Sequence, residues 1–528
     1  MNQSSHAVSD RAKRHRHSNK TGPADGPVLY VHPAKQGTDL RPDPKLGRPY
    51  ALFPLGLPAL INTLRENGVR VKGINHALEV QVNPNFNLTN WLKAQHGARI
   101  VLIDLHWYEH CYGAIRTAQA CKEALPGVWT VLGGLSASGF AREILENFSE
   151  VDFIVRGDAE KPLLDLVQLL RQNPDPAELH RRLAEIPNLS YRDANGIVEN
   201  PLGYCATTAD LDALNFVDID FLEHYREYSV HEYIVTDLSA ARRALQSNPL
   251  RGRWLCTARG CKYECSYCGG CRTAHQELAG RNGLVIRSPE KVVQDLLRLK
   301  KYGVNQASLS YDIAELGEEY WKAFFKEIEK NRVRIGLYNE FFQSPVPEFI
   351  EWFARNSDPA QSCVALSPLS GSERVRRLNG KIYTNEQIFD TLNLLSQNKL
   401  YLIVYFSINL PGEDNQAFQE TLDLAREIYE FYPHSLLKIL NTAHTIDPLS
   451  PMNTHAGKFN IETSMSTFMD YYNYCRNTRF ASPEARTEKQ RGFHMSDAQA
   501  RSVEDMANRW DRARSGKEDC WWPVPPSW

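Results

Sequence analysis

At 528 residues the chain exceeds the roughly 250–300 residues at which a single core stops growing, so about three folding units are expected. Apolar content of 42%, charged content of 23% and 31 Gly with 29 Pro exclude a disordered, collagen-like or heptad-repeat chain. Lys plus Arg number 61 and Asp plus Glu 63, so no whole-protein field gathers nucleic acid or anionic lipid, and neither is expected as a partner.

No apolar run reaches the roughly 18 residues of a membrane span, and the N-terminus lacks a charged patch followed by an apolar stretch, so a soluble, cytoplasmic protein is expected. Residues 1–27 carry Arg11, Lys13, Arg14, Arg16 and Lys20 among Ser, Asn, Gly and Pro. They read as a disordered basic arm, a solvated tail rather than a nucleic-acid arm because no aromatic or fold signal accompanies the charges. From residue 28 to 175 short apolar runs alternate with helical periodicity, the mark of a parallel sheet wrapped by crossover helices. Strands are expected at 28–31, 69–74, 100–103, 128–132 and 151–155 and helices at 113–125 and 141–148. Leu57, Leu60, Ile61 and Leu64 add a helix at i, i+3, i+4 and i+7 that stops at Gly68. These units make a doubly wound, Rossmann-like domain. Ligands of such sheets sit beyond the carboxyl ends of the strands, which here carry His106 and Trp107, then Gly133 and Gly134, then Arg156, Gly157 and Asp158.

Residues 176–250 are charged and aperiodic and read as a connector. Alternation returns from 251 to 450, with strands expected at 252–255, 307–311, 333–338, 364–367, 402–408 and 436–440 and helices between them, a partial (βα)6 barrel two units short of the closed eightfold form. Beyond 450 the chain loses strand character and gains Tyr471, Tyr472, Trp510, Trp521, Trp522 and Trp528; a small helical domain packed over the barrel mouth is expected, its aromatics serving packing before ligand stacking.

Eleven cysteines in a chain this long are too dilute for a disulfide scaffold, yet five fall between Cys256 and Cys271, which points to metal ligation in a reducing compartment. Cys261, Cys265 and Cys268 form C-x3-C-x2-C just after the first barrel strand. A 4Fe-4S cluster takes one ligand per iron, so three thiolates leave one iron open to a small chelating molecule. A ferredoxin run on Cys265, Cys268 and Cys271 would need a further Cys-Pro, and Arg272-Thr273-Ala274-His275 follows instead. Zinc on Cys256, Cys261, Cys265 and Cys268 is the rival, although structural zinc usually draws on two separated pairs. Cys256 and Cys271 otherwise read as buried structural thiols.

The three cysteines, with Tyr267 directly before the last, resemble the radical SAM superfamily over residues 251 to about 450. The resemblance implies S-adenosylmethionine chelated to the open iron, and cleavage by one electron to a 5′-deoxyadenosyl radical. It places Gly269 and Gly270 beside the methionine moiety, Glu340 and Ser367 near ribose hydroxyls or the amino group, and Arg374 or Arg377 at the carboxylate, each beside an ordinary structural role. Pro54-Leu55-Gly56-Leu57, Val131-Leu132-Gly133-Gly134 and the run from Val151 to Glu160 are similar to the cobalamin-binding domain that precedes many such barrels. Leu366-Ser367-Pro368, Arg376-Arg377, Gly380, Tyr383-Thr384-Asn385 and Leu410-Pro411-Gly412-Glu413 resemble segments of the same class B, methyltransferase-like subfamily. The chain departs from the D-x-H-x-x-G signature of cobalamin mutases: Asp104-Leu105-His106-Trp107-Tyr108-Glu109 follows the third strand, with Glu109 in the glycine position. An axial histidine is therefore not supported, while His106, Trp107, Gly133, Gly134, Arg156, Gly157 and Asp158 remain candidate corrin contacts. The resemblance implies methylation of a carbon centre of a small or peptide metabolite, with an electron donor such as flavodoxin or ferredoxin. A radical rearrangement, ring contraction or cyclisation is the alternative. A non-catalytic corrinoid carrier or sensor with structural zinc is the alternative of another class.

Overall fold

The computed structural model describes residues 26–40, 52–228, 251–443, 447–463, 465–479 and 497–524. The basic arm up to residue 25, the connector between 229 and 250 and Trp528 lie outside the described residues. The first domain is built on β1 (Val28–His32), β2 (Val71–Asn75), β3 (Ile100–Asp104), β4 (Trp129–Gly133) and β5 (Phe153–Val155), which lie parallel in the order β2-β1-β3-β4-β5. β1 is buried along its whole length, as parallel strands covered on both faces are. Alternation splits it: Leu29 and Val31 join the core on one face, Val28 and Tyr30 the core on the other. Helix α1 (Leu57–Glu66) and α3 (Glu160–Gln172) cover the second face, and α2 (Cys111–Ala124) covers the first.

The segment expected as a connector adds β6 (Leu189–Asp193) and β7 (Gly196–Glu199), antiparallel strands that extend the first sheet beyond β5. They are short and half polar, so they leave no apolar run to read. The second domain is a six-stranded parallel sheet in the order β15-β14-β13-β12-β11-β8. Its strands are β8 (Gly252–Leu255), β11 (Gln306–Leu309), β12 (Gly336–Phe341), β13 (Cys363–Leu369), β14 (Tyr401–Ile408) and β15 (Leu437–Ala443). β8 and β15 do not pair with each other, so the barrel stays open. A hairpin of β9 (Ala258–Gly260) with β10 (Leu284–Ile286), unexpected from the sequence, flanks helix α4 (Arg272–Ala279). Helices α5 (Pro289–Lys301), α6 (Glu318–Lys330), α7 (Pro347–Asn356), α8 (Glu373–Leu378), α9 (Asn385–Gln397) and α10 (Asn415–Phe431) follow in chain order. The largest apolar core lies between the strands and this helical shell, and a small one of Tyr338, Cys363, Ala365, Tyr401 and Ile403 fills the barrel interior.

The C-terminal helices do not cap the barrel mouth as expected. Instead α11 (Phe468–Thr478) packs on the first domain, with Tyr471 against Tyr108 at 5.3 Å and Phe468 against Phe140 at 5.8 Å. The last helix, α12 (Asp497–Ala513), lies on the outside of the barrel, with Trp510 against Phe406 at 5.8 Å and Trp521 at 5.0 Å. The aromatics are packing groups, but they are divided between two domains. Among the described residues no helix is long and apolar enough to cross a membrane.

Candidate functional site

The loop between β9 and α4 carries the three cysteines. Successive turns curl it: the Cys268 N–H donates to the Cys265 carbonyl (3.2 Å), Cys271 N–H to the Cys268 carbonyl (3.3 Å) and Arg272 N–H to the Tyr263 carbonyl (2.9 Å). The thiols consequently feel one another electrostatically, Cys265 sensing Cys261 and Cys268 sensing both. Backbone N–H groups of Tyr263 and Gly270 point at the Cys261 and Cys268 sulfurs, each at 3.4 Å. From behind, the Ser266 hydroxyl donates to the Asn379 side chain, which in turn donates to the Val375 and Pro411 carbonyls. Burial raises all three thiols above their ordinary pKa, and the Lys381 ammonium opposes this at Cys261 and Cys265. Among the described residues no group of three His, Cys, Asp or Glu is gathered as one metal ion requires. A 4Fe-4S cluster asks for something else, a thiolate on each of three separate irons, and the donor set of three thiols, two of them met by backbone N–H groups, fits that demand.

The expected S-adenosylmethionine contacts fall into two groups. Glu340 and Ser367 lie inside β12 and β13 rather than after them, and the Ser367 hydroxyl donates to the Glu340 carboxylate at 2.5 Å. Tyr267, its hydroxyl raised mainly by burial and in part by the charge of Glu340, packs against Leu369, Val375, Leu410 and Ala417. A Cβ on Gly270 would meet only Cys268 Sγ at 3.8 Å and His275 Nε2 at 3.9 Å, leaving space beside the thiols, whereas at Gly269 it would collide with the Asp447 carboxylate. Arg374 and Arg377 correct the expectation: α8 turns Val375 and Arg376 inward, so its other side chains face solvent. Arg374 donates to the Gly412 carbonyl (3.0 Å) and pairs with Asp414 (2.8 Å), while Arg377 pairs with Glu373 (3.2 Å). The buried cation beside the thiols is Lys381, which donates to the Phe342 carbonyl at 3.0 Å. It was missed because nothing local marks it.

A cavity of about 410 Å³ joins the two domains. One wall is the carboxyl end of the first sheet, with Asp104, His106, Gly133 and Gly134, then Gly157 and Asp158; the other includes Cys256, Arg259 and Gly260 of the barrel, with Tyr311. Gly134, at φ 109°, is required by packing: a Cβ there would press on the backbone of Leu105 and His106 at 2.8 Å. His106 lines the space, and burial lowers it to about 4, which keeps its imidazole neutral at pH 7. Asp104 is held by the Tyr30 hydroxyl (2.6 Å) and His32 Nδ1 (2.9 Å). Two expected contacts stand outside this wall. Trp107 turns edge-on to His106 at 5.1 Å, and Arg156 reaches back to the Asn200 carbonyl and Glu199.

Asp158 does more than line the cavity. Its carboxylate pairs with Arg259 at 3.1 Å and with the buried Arg281, while Glu160 takes the other arm of Arg259 at 2.7 Å. Burial pushes Asp158 up, but Arg259 and Arg281 outweigh it and hold the carboxyl below its ordinary range. These charges clamp the first domain onto the hairpin whose two strands enclose the cysteine loop; residues so distant in sequence leave no periodic signal. Glu160 keeps one buried oxygen, Oε2, without a hydrogen-bond partner. A corrin ring with peripheral amides fits such a place: the apolar wall of Leu57, Leu60 and Val131 suits its faces, and the orphaned carboxylate oxygen suits an amide N–H.

Comparison with known proteins agrees with this geometry. Residues 47–167 match the family model of the B12 binding domain, and residues 255–425 match that of the Radical SAM superfamily. The chain is 22% identical over 324 residues to an anaerobic magnesium-protoporphyrin IX monomethyl ester cyclase of Cereibacter sphaeroides, covering 60% of this chain and 47% of that protein. It is 24% identical over 292 residues to the hopanoid C-3 methylase of Methylococcus capsulatus, covering 55% and 48%. The chain thus spans about half the length of these curated relatives. In fold it is similar to the radical S-adenosylmethionine methyltransferase TsrM of Kitasatospora setae, solved with cobalamin and a [4Fe-4S] cluster bound, at a TM-score of 0.59 and 16% identity over 82% of this chain and 77% of that one. The two domains imply a 4Fe-4S cluster and S-adenosylmethionine for the barrel and cobalamin for the first domain, and the chain belongs to the cobalamin-binding-domain branch of the radical SAM superfamily.

Proposed function

We propose that the protein is a cobalamin-dependent radical SAM methyltransferase that acts on a carbon centre of a small or peptide metabolite. The observation that carries this reading is the shared cavity: the carboxyl end of the first sheet and the strands leading to the cysteine loop wall one space, so what the two domains hold can act on a single substrate. When bound, cobalamin supplies methyl carriage, and the cluster with S-adenosylmethionine supplies one-electron chemistry. Cys261, Cys265 and Cys268 ligate the cluster, with the N–H groups of Tyr263 and Gly270 donating to two of the sulfurs. Gly270 leaves room for the methionine moiety, and the Glu340 carboxylate, oriented by Ser367, accepts from its amino group or ribose. His106, Gly133 and Gly134 line the corrin side, Glu160 accepts from a corrin amide, and the apolar wall excludes water. The methylase among the relatives and the methyltransferase fold support the methyl-transfer assignment.

Anaerobic incubation of the reconstituted protein with S-adenosylmethionine and candidate acceptors tests it. The proposal expects S-adenosylhomocysteine together with a methylated product. Deoxyadenosine formed without any methyl transfer would favour the second reading, a radical cyclisation or rearrangement, which the cyclases among the relatives support.

A further inference from the structure

Tyr311 stands just past the end of β11, lines the shared cavity and is 5% exposed. Its place is fixed twice over: the backbone N–H donates to Thr257 Oγ1 at 3.2 Å, and the ring meets Phe342 edge-on at 4.9 Å. The hydroxyl is buried and has no hydrogen-bond partner among the described residues. A buried hydroxyl without a partner is costly and calls for an explanation. The two carboxylates whose charge reaches it are already engaged. Glu315 pairs with Lys262 at 2.6 Å and accepts from the Tyr263 hydroxyl. Asp312 accepts from the Ala314 N–H (3.0 Å), the Asn339 amide (2.9 Å) and the Phe342 N–H (2.8 Å). Burial does most to raise the Tyr311 hydroxyl, and among the charges it feels Cys261 acts most strongly. The Lys262 N–H turns toward the hydroxyl oxygen without closing a bond, which leaves the hydroxyl proton to donate. At Cys261 the effect is reciprocal: burial raises the thiol, and the Tyr263 N–H and then the Tyr311 hydroxyl oppose it. A thiol sulfur accepts weakly and a thiolate far better, so the acceptor that this hydroxyl lacks appears once Cys261 is ionised.

Resting on the function proposed above, we infer that the Tyr311 hydroxyl donates to the Cys261 sulfur of the assembled cluster and draws the cluster's reduction potential upward. Hydrogen bonds to the sulfurs are among the factors that set such potentials. The reason is electrostatic: the added electron places negative charge on the sulfurs, and a donor aimed at one of them stabilises the reduced form. The cluster gains one electron, the tyrosine keeps its proton and no bond breaks. Tyr311 is thus a positioning residue that acts through Cys261, which then has two donors, the second being the Tyr263 N–H at 3.4 Å.

The test uses the full-length protein reconstituted with iron and sulfide. Tyr311→Phe is compared with wild type and with Tyr320→Phe, which removes a buried, unpartnered hydroxyl from α6. Each protein is poised, without S-adenosylmethionine, at the solution potential that reduces half of the wild-type cluster, and the reduced fraction is read from its electron paramagnetic resonance signal. The ratio of reduced to oxidised cluster is expected to fall about threefold or more in Tyr311→Phe and to keep the wild-type value in Tyr320→Phe. Iron content is expected at the wild-type level in both variants, since ring and packing are kept. An unchanged or raised ratio in Tyr311→Phe overturns the proposal. So does an equal fall in Tyr320→Phe, which would mark a general effect of lost hydroxyls, and so does loss of iron from Tyr311→Phe, which would make the residue structural. Wild-type protein without a reducible iron–sulfur signal would instead bring down the functional reading on which this assignment rests.

Discussion

A buried thiol gives up its proton readily only when a cation compensates, and the three cysteines show how far the chain supplies that cation. Lys381 helps Cys261 and Cys265, but Cys268, pushed up by burial, has only the Gly270 N–H as its main counterweight. Iron completes the set, so replacing one ligand opens the site. Cys265→Ala is expected to remove most of the iron, read by metal analysis, while corrinoid uptake stays at the wild-type level, because the corrin-side residues belong to the other domain. Glu413 is a second residue with a readable titration. It caps the loop after β14, accepting from the Asn409 N–H at 2.8 Å, and burial raises its carboxyl from 4.5 to about 8. The folded protein holds that proton while the unfolded chain releases it, so stability falls as pH rises from about 4.5 through 8. Glu413→Gln keeps an accepting oxygen and removes the titration. In urea unfolding at pH 6 and pH 8, its stability relative to wild type is expected to be more favourable at pH 8. The cysteines were legible because their spacing is local; Lys381 and the raised carboxyl of Glu413 were not, because only the folded chain surrounds them with apolar atoms.

At the level of elements, the hairpin β9–β10 does what no periodicity announced. It carries Arg259 to Asp158 and Glu160, and Arg281, just before β10, reaches Asp158 as well. The first-sheet strands were readable from continuous apolar runs, and their carboxyl ends duly line the cavity. Residues were misplaced where the expected strand ended too early, as with β12, so that Glu340 proved to point from within the sheet. The two arginines of α8 failed for a different reason: the helix buries one stripe only, and Arg376 occupies it. Asp158→Asn leaves the buried Arg281 without its counter-charge, an effect of about 3–5 kcal/mol in comparable buried pairs. A drop in unfolding free energy of that order is expected, read in urea at pH 7. Because Asp158 is held below its ordinary pKa, its contribution is present above about pH 4 and fades as pH falls further. The difference between variant and wild type should therefore shrink on acidification.

Over the whole molecule the division into a doubly wound sheet and an open barrel was legible, since it rests on the alternation of apolar runs along the chain. The placement of the last helices was not: aromatic content says that they pack, and only three-dimensional complementarity says that α11 packs on the first domain and α12 on the barrel's outer face. Their arrangement leaves the space between the domains to the clamp and the cavity. The proposed chemistry requires that cobalamin and the cluster face this one space. Electron paramagnetic resonance of protein loaded with cob(II)alamin and a reduced cluster tests it most directly. Each signal is expected to be broadened by magnetic coupling to the other; two sharp, independent signals, or a corrinoid signal with no iron beside it, would place the two groups in separate spaces.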